Sequence, residues 1–151
     1  MEFGKVYHPL VEMKLTVKSK RIIVDTYAWI EYFKGSIQGA KAKSYIEGKY
    51  YLLTPTIVLA ELKEFSLKHK ENFAHVNLFI QSRSKIVPIN QEVAIKAGEI
   101  NYRKKRMEKI KDWGMIDSII LATAQTNKAK ILTGDLHFKN LKETIWIGKQ
   151  S

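Results

Sequence analysis

The sequence predicts an α/β domain of three layers, with helices on both faces of a mostly parallel five-stranded sheet. Three observations carry this reading. Five short apolar runs, at Ile22–Val24, Tyr50–Leu53, Ile86–Ile89, Ala129–Leu132 and Thr144–Ile147, alternate with longer segments of helical periodicity. The intervening segments are long enough to be crossovers, which are right-handed and set successive strands parallel. At 151 residues with 45% hydrophobic side chains, the chain is long enough for one domain around one core.

Residues 1–20 carry scattered charge without a clean period and read as an N-terminal extension or edge element, with Met13 as a second candidate start. The domain proper then spans 21–151. Ile22-Ile23-Val24 is a buried strand, followed by an amphipathic helix from about Tyr27 to Lys34 and a Gly35-Ser36 break. A second helix runs to about Glu47, where Gly48 suits its C-terminal end. After the strand at Tyr50–Leu53, Thr54 is placed to cap a helix with Pro55 at its first position, reaching about Lys70. A further helix spans 72–82. Pro88 assigns the strand at Ile86–Ile89 to a sheet edge, because proline cannot donate to the ladder. Asn90 caps a helix running to about Lys109, and Gly114 precedes the most apolar helix, Ile116–Asn127.

Composition narrows the function classes. The absence of cysteine excludes disulfide staples, a thiolate nucleophile and cysteine-based zinc modules. The four histidines, His8, His69, His75 and His137, form no close pair at metal-ligand spacing, which argues against zinc. Apolar runs such as Ile57–Ala60 fall far short of the ~18–20 residues of a membrane span, and the N-terminus lacks the apolar core of a signal peptide. A soluble, cytoplasmic protein is expected. Lys and Arg outnumber Asp and Glu by 26 to 15, a net charge of +11 that attracts polyanions through counterion release.

Four acids stand out in this basic chain. Asp25 directly follows the first strand, and Asp135 follows Ile131–Gly134. In a parallel sheet, ligands bind at the carboxyl ends of the strands, so both carboxylates emerge on that edge. Taken singly, each reads more readily as a helix cap or a turn acid. Glu61 falls on the stripe formed by Ile57, Val58, Leu62 and Phe65, where a carboxylate must be paired, metal-bound or protonated. A lysine salt bridge is the plain alternative, and Glu64, at the stripe's edge, reaches solvent. Asp117 opens the apolar helix, a place the helix dipole favours in any case. Asp112, in a Trp-Gly loop, reads as a solvated loop acid. Convergence of the four would demand a cation, and an all-oxygen donor set suits Mg²⁺ or Mn²⁺ rather than Zn²⁺. An acidic pocket inside a cationic chain is the electrostatic plan of a metal-dependent nuclease.

Four segments resemble the PIN-domain ribonucleases over about residues 21–147. They are Ile-Ile-Val-Asp25-Thr-Tyr-Ala-Trp-Ile, Thr-Pro-Thr-Ile-Val-Leu-Ala-Glu61-Leu, Met-Ile-Asp117-Ser-Ile-Ile-Leu-Ala-Thr-Ala and Leu-Thr-Gly-Asp135-Leu-His-Phe. A short single domain of this kind is most similar to a VapC-type toxin of a toxin–antitoxin pair. The resemblance implies a Mg²⁺- or Mn²⁺-dependent endoribonuclease, a homodimer, silenced by a small cognate antitoxin. It implies that Asp25, Asp117 and Asp135 hold the cation and that Glu61 positions a second cation or the attacking water. Thr26, Ser118 and Thr133 are candidate hydroxyls to orient these carboxylates, or ordinary caps and turn residues. His137 stands where many relatives carry a further acid.

The densest basic segment, Arg103-Lys104-Lys105-Arg106 with Lys109 and Lys111, reads as an RNA-backbone contact or as a solvated helix end. Tyr7, Tyr27, Trp29, Tyr32 and Phe33 are placed to stack bases or, at helical spacing, to fill a core or interface. A phosphatase of the haloacid-dehalogenase type would need an Asp where Tyr27 stands, and a response-regulator receiver would need adjacent acids where Asp25 stands alone. The remaining rivals are a basic nucleic-acid-binding module and a housekeeping RNA-processing PIN protein.

Overall fold

A computed structural model describes residues 20–150. The extension expected over 1–20, with Tyr7, His8 and Met13, therefore lies almost wholly outside the described residues. Five parallel strands form one sheet in the order β3-β2-β1-β4-β5. They are β1 (Arg21–Val24), β2 (Tyr51–Pro55), β3 (Lys85–Val87), β4 (Lys130–Thr133) and β5 (Thr144–Trp146). The helices are α1 (Thr26–Lys34), α2 (Ile37–Ile46), α3 (Thr56–Lys68), α4 (Phe73–Arg83), α5 (Gln91–Tyr102) and α6 (Met115–Thr126), with a π turn at Arg103–Met107 and a 3-10 turn at Leu136–Phe138. The expected architecture is the one observed.

The topology follows from the handedness of the crossovers. From β1 to β3 the chain steps in one direction across the sheet, so α1 to α4 cover one face. From β3 it returns past β2 and β1 to β4, so α5 and α6 cover the other. The central strands are shut in on both faces: Ile22, Ile23, Val24, Ile131 and Leu132 are fully buried. The direction of winding reverses between β1 and β4, and a switch point of this kind leaves a crevice beyond the carboxyl ends of the two strands.

Local signals hold at most boundaries. Gly35 adopts φ 67°, the left-handed conformation that ends α1, and its N–H returns to the carbonyls of Glu31 and Tyr32. The side chains of Ser36, Asn72 and Asn90 cap the helices that follow them. The start of α3 departs from expectation. Thr54 does not cap it; Thr54 and Pro55 continue β2, and Pro55 takes the N-cap position. The Thr54 hydroxyl is instead turned into the core, where it accepts from Trp29 Nε1 at 3.2 Å and lies 2.7 Å from Ser84 Oγ. The helix expected to run from Asn90 to Lys109 ends at Tyr102 and passes into the π turn. Among the described residues no helix is long and apolar enough to cross a membrane.

Candidate metal centre

Asp25 is the first residue after β1 and occupies the N-cap position of α1, yet its side chain does not cap the helix. It points across to β4, where Thr133 Oγ1 donates to Asp25 Oδ2 at 2.8 Å. The register that pairs Val24 with Leu132 sets this contact. The Asp135 amide donates to the same Thr133 oxygen at 2.9 Å, so one hydroxyl ties the two aspartate-bearing strand ends together. Gly134 between them has no room for a side chain: a Cβ there would sit 2.3 Å from the Tyr27 ring, which packs α1 down onto the end of β4. Asp25 is 5% exposed. Its carboxyl is pushed up to about 7: burial raises it most, the Thr133 hydroxyl and Thr26 amide hold it back, and the Glu61 and Asp135 charges add to the rise.

Glu61 is half-buried and accepts from the Thr26 hydroxyl at 2.6 Å, a partner other than the lysine that its place on the stripe allowed. Burial raises its pKa, the Thr26 hydrogen bond opposes this, and the charges of Asp117, Asp135 and Glu64 raise it further. Asp117 lies in the first turn of α6, where its Oδ2 accepts from the Gly114 amide at 2.9 Å. Asp135 Oδ1 accepts from the His137 amide at 2.9 Å and so opens the 3-10 turn. That turn swings His137 back toward α6. Its Nδ1 lies 3.1 Å from Asp117 Oδ2 and 3.5 Å from Asp135 Oδ1, while Nε2 lies 3.2 Å from Asp112 Oδ2. Burial lowers the His137 pKa, but the charges of Asp117 and Asp135 and hydrogen bonding to Asp112 outweigh it and leave the value raised.

The structure thus brings all four predicted acids to the switch point, Asp117 and Asp135 most closely. It adds two groups beyond the four acids: His137, which stands where many relatives carry a further acid, and Asp112, read from the sequence as a solvated loop acid. Asp112 is not merely a solvated acid: although well exposed, it faces the imidazole. The loop that carries it is clamped by Trp113, which is buried, donates from Nε1 to Ser118 Oγ at 2.7 Å and packs 5.6 Å from the Phe138 ring. Ser118 corrects the expectation, for its hydroxyl meets Trp113 and Asn101 Oδ1 and orients no carboxylate. Thr26 and Thr133 do serve carboxylates.

The basic segment also divides. Lys104 is buried, 3.1 Å from Glu108 and 5.3 Å over the Trp113 ring, so it braces the loop and is not available to a phosphate backbone. Arg103 pairs with Glu108 at 3.7 Å. Lys105, Arg106 and Lys111 instead line an open cleft of about 530 Å³ with Asn101, Tyr102 and Ile110. Of the aromatic group on α1, Trp29 is wholly core, while Phe33 reaches the surface.

Among the described residues, one trio of donors lies close enough to share an ion: single ligand atoms of Asp117, Asp135 and His137, all within 4.8 Å of one another. The fit to a divalent cation is chemical as well as spatial, because His137 Nδ1 is shut off from solvent and has no hydrogen-bond partner.

The PIN domain family model matches residues 22–143. No curated protein sequence matches the chain. Among solved structures, a toxin–antitoxin complex from Klebsiella pneumoniae superposes with a TM-score of 0.66 at 21% identity, covering 85% of this chain and 99% of that one. The sarcin-ricin loop cleaving toxin VapC20 of Mycobacterium tuberculosis gives 0.65 at 15% identity, covering 80% and 95%. DNA-bound VapBC from Salmonella typhimurium gives 0.64 at 20%, covering 85% and 98%. At these identities the likeness establishes the fold.

Proposed function

The chain belongs to the PIN domain family, in which nuclease activity is general, and on that premise we propose that it is a Mg²⁺- or Mn²⁺-dependent endoribonuclease. The observation that carries the reading is the meeting of Asp117, Asp135 and His137 donor atoms within 4.8 Å, at the sheet edge that also holds Asp25 and Glu61. Asp117 and Asp135 would hold the cation directly, with Asp25 beside them and Glu61 positioning water or a second ion. When bound, the cation supplies Lewis acidity toward the phosphodiester and activation of water for in-line attack.

The protein's own groups do the rest. Thr133 aims Asp25 and Thr26 aims Glu61. With its pKa pushed up to about 7, Asp25 is partly protonated near neutral pH in the metal-free protein and sheds that proton as a cation arrives, so rising pH favours uptake. Lys105, Arg106 and Lys111 take the phosphate backbone along the cleft beside α5.

The fold's likeness to VapC20 and to toxin–antitoxin complexes supports a toxin role. By the same analogy the chain acts in the cytoplasm as a homodimer and is silenced by a small cognate antitoxin. Incubating purified protein with structured RNA, first with Mg²⁺ or Mn²⁺ and then with EDTA, tests the enzymatic reading. Metal-dependent cleavage is expected. Cleavage unchanged in EDTA would overturn the metal mechanism, and binding without cleavage of any RNA would favour a nucleic-acid-binding module.

A further inference from the structure

His137 is the one nitrogen donor among the carboxylates, and its ring is held from one side. A carboxylate faces Nε2, Asp112 Oδ2 at 3.2 Å; in the tautomer that donates to it, the Nδ1 lone pair is left free. That lone pair faces Asp117 Oδ2 at 3.1 Å and Asp135 Oδ1 at 3.5 Å. Nδ1 is closed to solvent, yet it makes a directional hydrogen bond with neither oxygen. Three acceptors turned toward one another need a positive centre among them. Donors at right angles around an octahedral ion with bonds of about 2.1 Å lie about 3 Å apart, close to the Nδ1–Oδ2 separation found here.

We propose that His137 Nδ1 is a direct ligand of the divalent cation held by Asp117 and Asp135, that Asp112 orients the imidazole from behind, and that this nitrogen makes the centre prefer Mn²⁺ to Mg²⁺. The proposal rests on the metal-dependent reading above and adds to it a ligand and a selectivity. Mg²⁺ binds almost wholly through oxygen and keeps its waters, whereas an imidazole nitrogen bonds first-row transition ions more strongly. A carboxylate on the far nitrogen of a ligating histidine raises its basicity and locks its orientation. Asp112 is able to do this because Trp113, buried and bonded to Ser118, anchors the loop next to it. The competing account is a permanent imidazolium: a proton on Nδ1 would satisfy both aspartates and take the cation's place.

Mn²⁺ titrated into the purified full chain and followed by pulsed electron paramagnetic resonance separates the two. Imidazole-nitrogen hyperfine coupling to bound Mn²⁺ is expected in the wild type and absent in His137→Asp, which still binds Mn²⁺ through oxygen. Competition between the ions should show the Mn²⁺-over-Mg²⁺ preference falling roughly tenfold in His137→Asp. Asp112→Asn should weaken Mn²⁺ binding roughly 10–100-fold while keeping the coupling. Mn²⁺ bound to the wild type without nitrogen coupling would overturn His137 as a ligand and leave the nuclease reading standing. No Mn²⁺ bound at all would overturn both, in favour of the imidazolium.

Discussion

The Thr133 hydroxyl donates to Asp25 Oδ2 at 2.8 Å from a fully buried position, joining residues 108 apart in sequence across two neighbouring strands. Because the same oxygen accepts from the Asp135 amide, its loss would disturb two predicted ligands together. Thr133→Val keeps the shape and removes the hydrogen bonds. It should lower cleavage roughly 10–100-fold and cost about 1–3 kcal/mol of stability through the unpaired groups left behind. Thr133→Ser should restore most of both. Cleavage assays beside thermal unfolding of the three proteins check this; a Val variant as active as the wild type would show that the link does not position the acids.

Asp25 is buried with two other acids acting on it, so in the metal-free protein its charge is a burden on the fold. Asp25→Asn should abolish cleavage and, in EDTA at pH 8, stabilise the chain. The shift from 3.8 to about 7 bounds the gain at about 4 kcal/mol. Calorimetry of both proteins without metal decides the matter. A marked loss of stability in Asp25→Asn would make the residue a structural cap and not a ligand.

The same burden has a sign in pH. The unfolded chain releases the Asp25 proton near 3.8, while the folded chain holds it to about 7. Between those values the folded state binds more protons, so metal-free stability should fall as pH rises through that window. Glu61, also raised, adds in the same direction. Saturating Mn²⁺ should flatten the slope, because a cation at the site takes over from the proton. Unfolding free energies measured from pH 4 to pH 8, with and without Mn²⁺, test both statements; metal-free stability that rises across the window would contradict them.

The strands and the four acids were legible because their signal is local. A strand followed by Asp in an α/β chain places that Asp at the ligand-binding edge, and an apolar helix draws its first-turn acid inward. Thr54 misled because Thr-Pro is a helix-start pattern, and only the tertiary need of Trp29 for an acceptor turns that hydroxyl inward. Lys104 misled because a run of four cations looks uniformly solvated. The π turn rotates one of them under Glu108 and onto Trp113. His137 and Asp112 are 25 residues apart and meet only because the 3-10 turn after β4 folds back toward α6. The sequence clues were that His137 stands where many relatives carry a further acid, and the Asp135-Leu-His137 spacing, which puts two donors two residues apart at a strand end.

Division of the basic segment makes a contrast that binding can read. Lys105→Ala with Arg106→Ala should weaken affinity for every RNA alike and reduce the slope of log affinity against log salt by about 1–2, with cleavage of bound RNA unchanged. Lys104→Ala should leave that slope alone and instead lower stability, since it uncovers Trp113 and frees Glu108. Binding isotherms at several salt concentrations, with melting curves of each variant, separate the two roles. A salt slope that changes only in the Lys104 variant would reverse the assignment.

The toxin role is a claim about cells, and growth tests it. A groove lined by Ile30, Phe33, Leu62, Phe65 and Val76 lies between α1, α3 and α4, and Glu61 is carried on the same helix α3. Expression of the wild-type chain alone should slow growth with loss of intact RNA, while Asp25→Asn should not. Co-expression of a small protein encoded beside it should restore growth. Phe33→Glu should break that rescue without blunting toxicity if the inhibitor, and not the RNA, occupies the groove. If the wild-type chain is harmless in its host yet cleaves RNA with Mn²⁺ in vitro, the toxin reading fails while the nuclease chemistry stands. The protein is then a housekeeping processing enzyme whose acids are kept in check by substrate access alone.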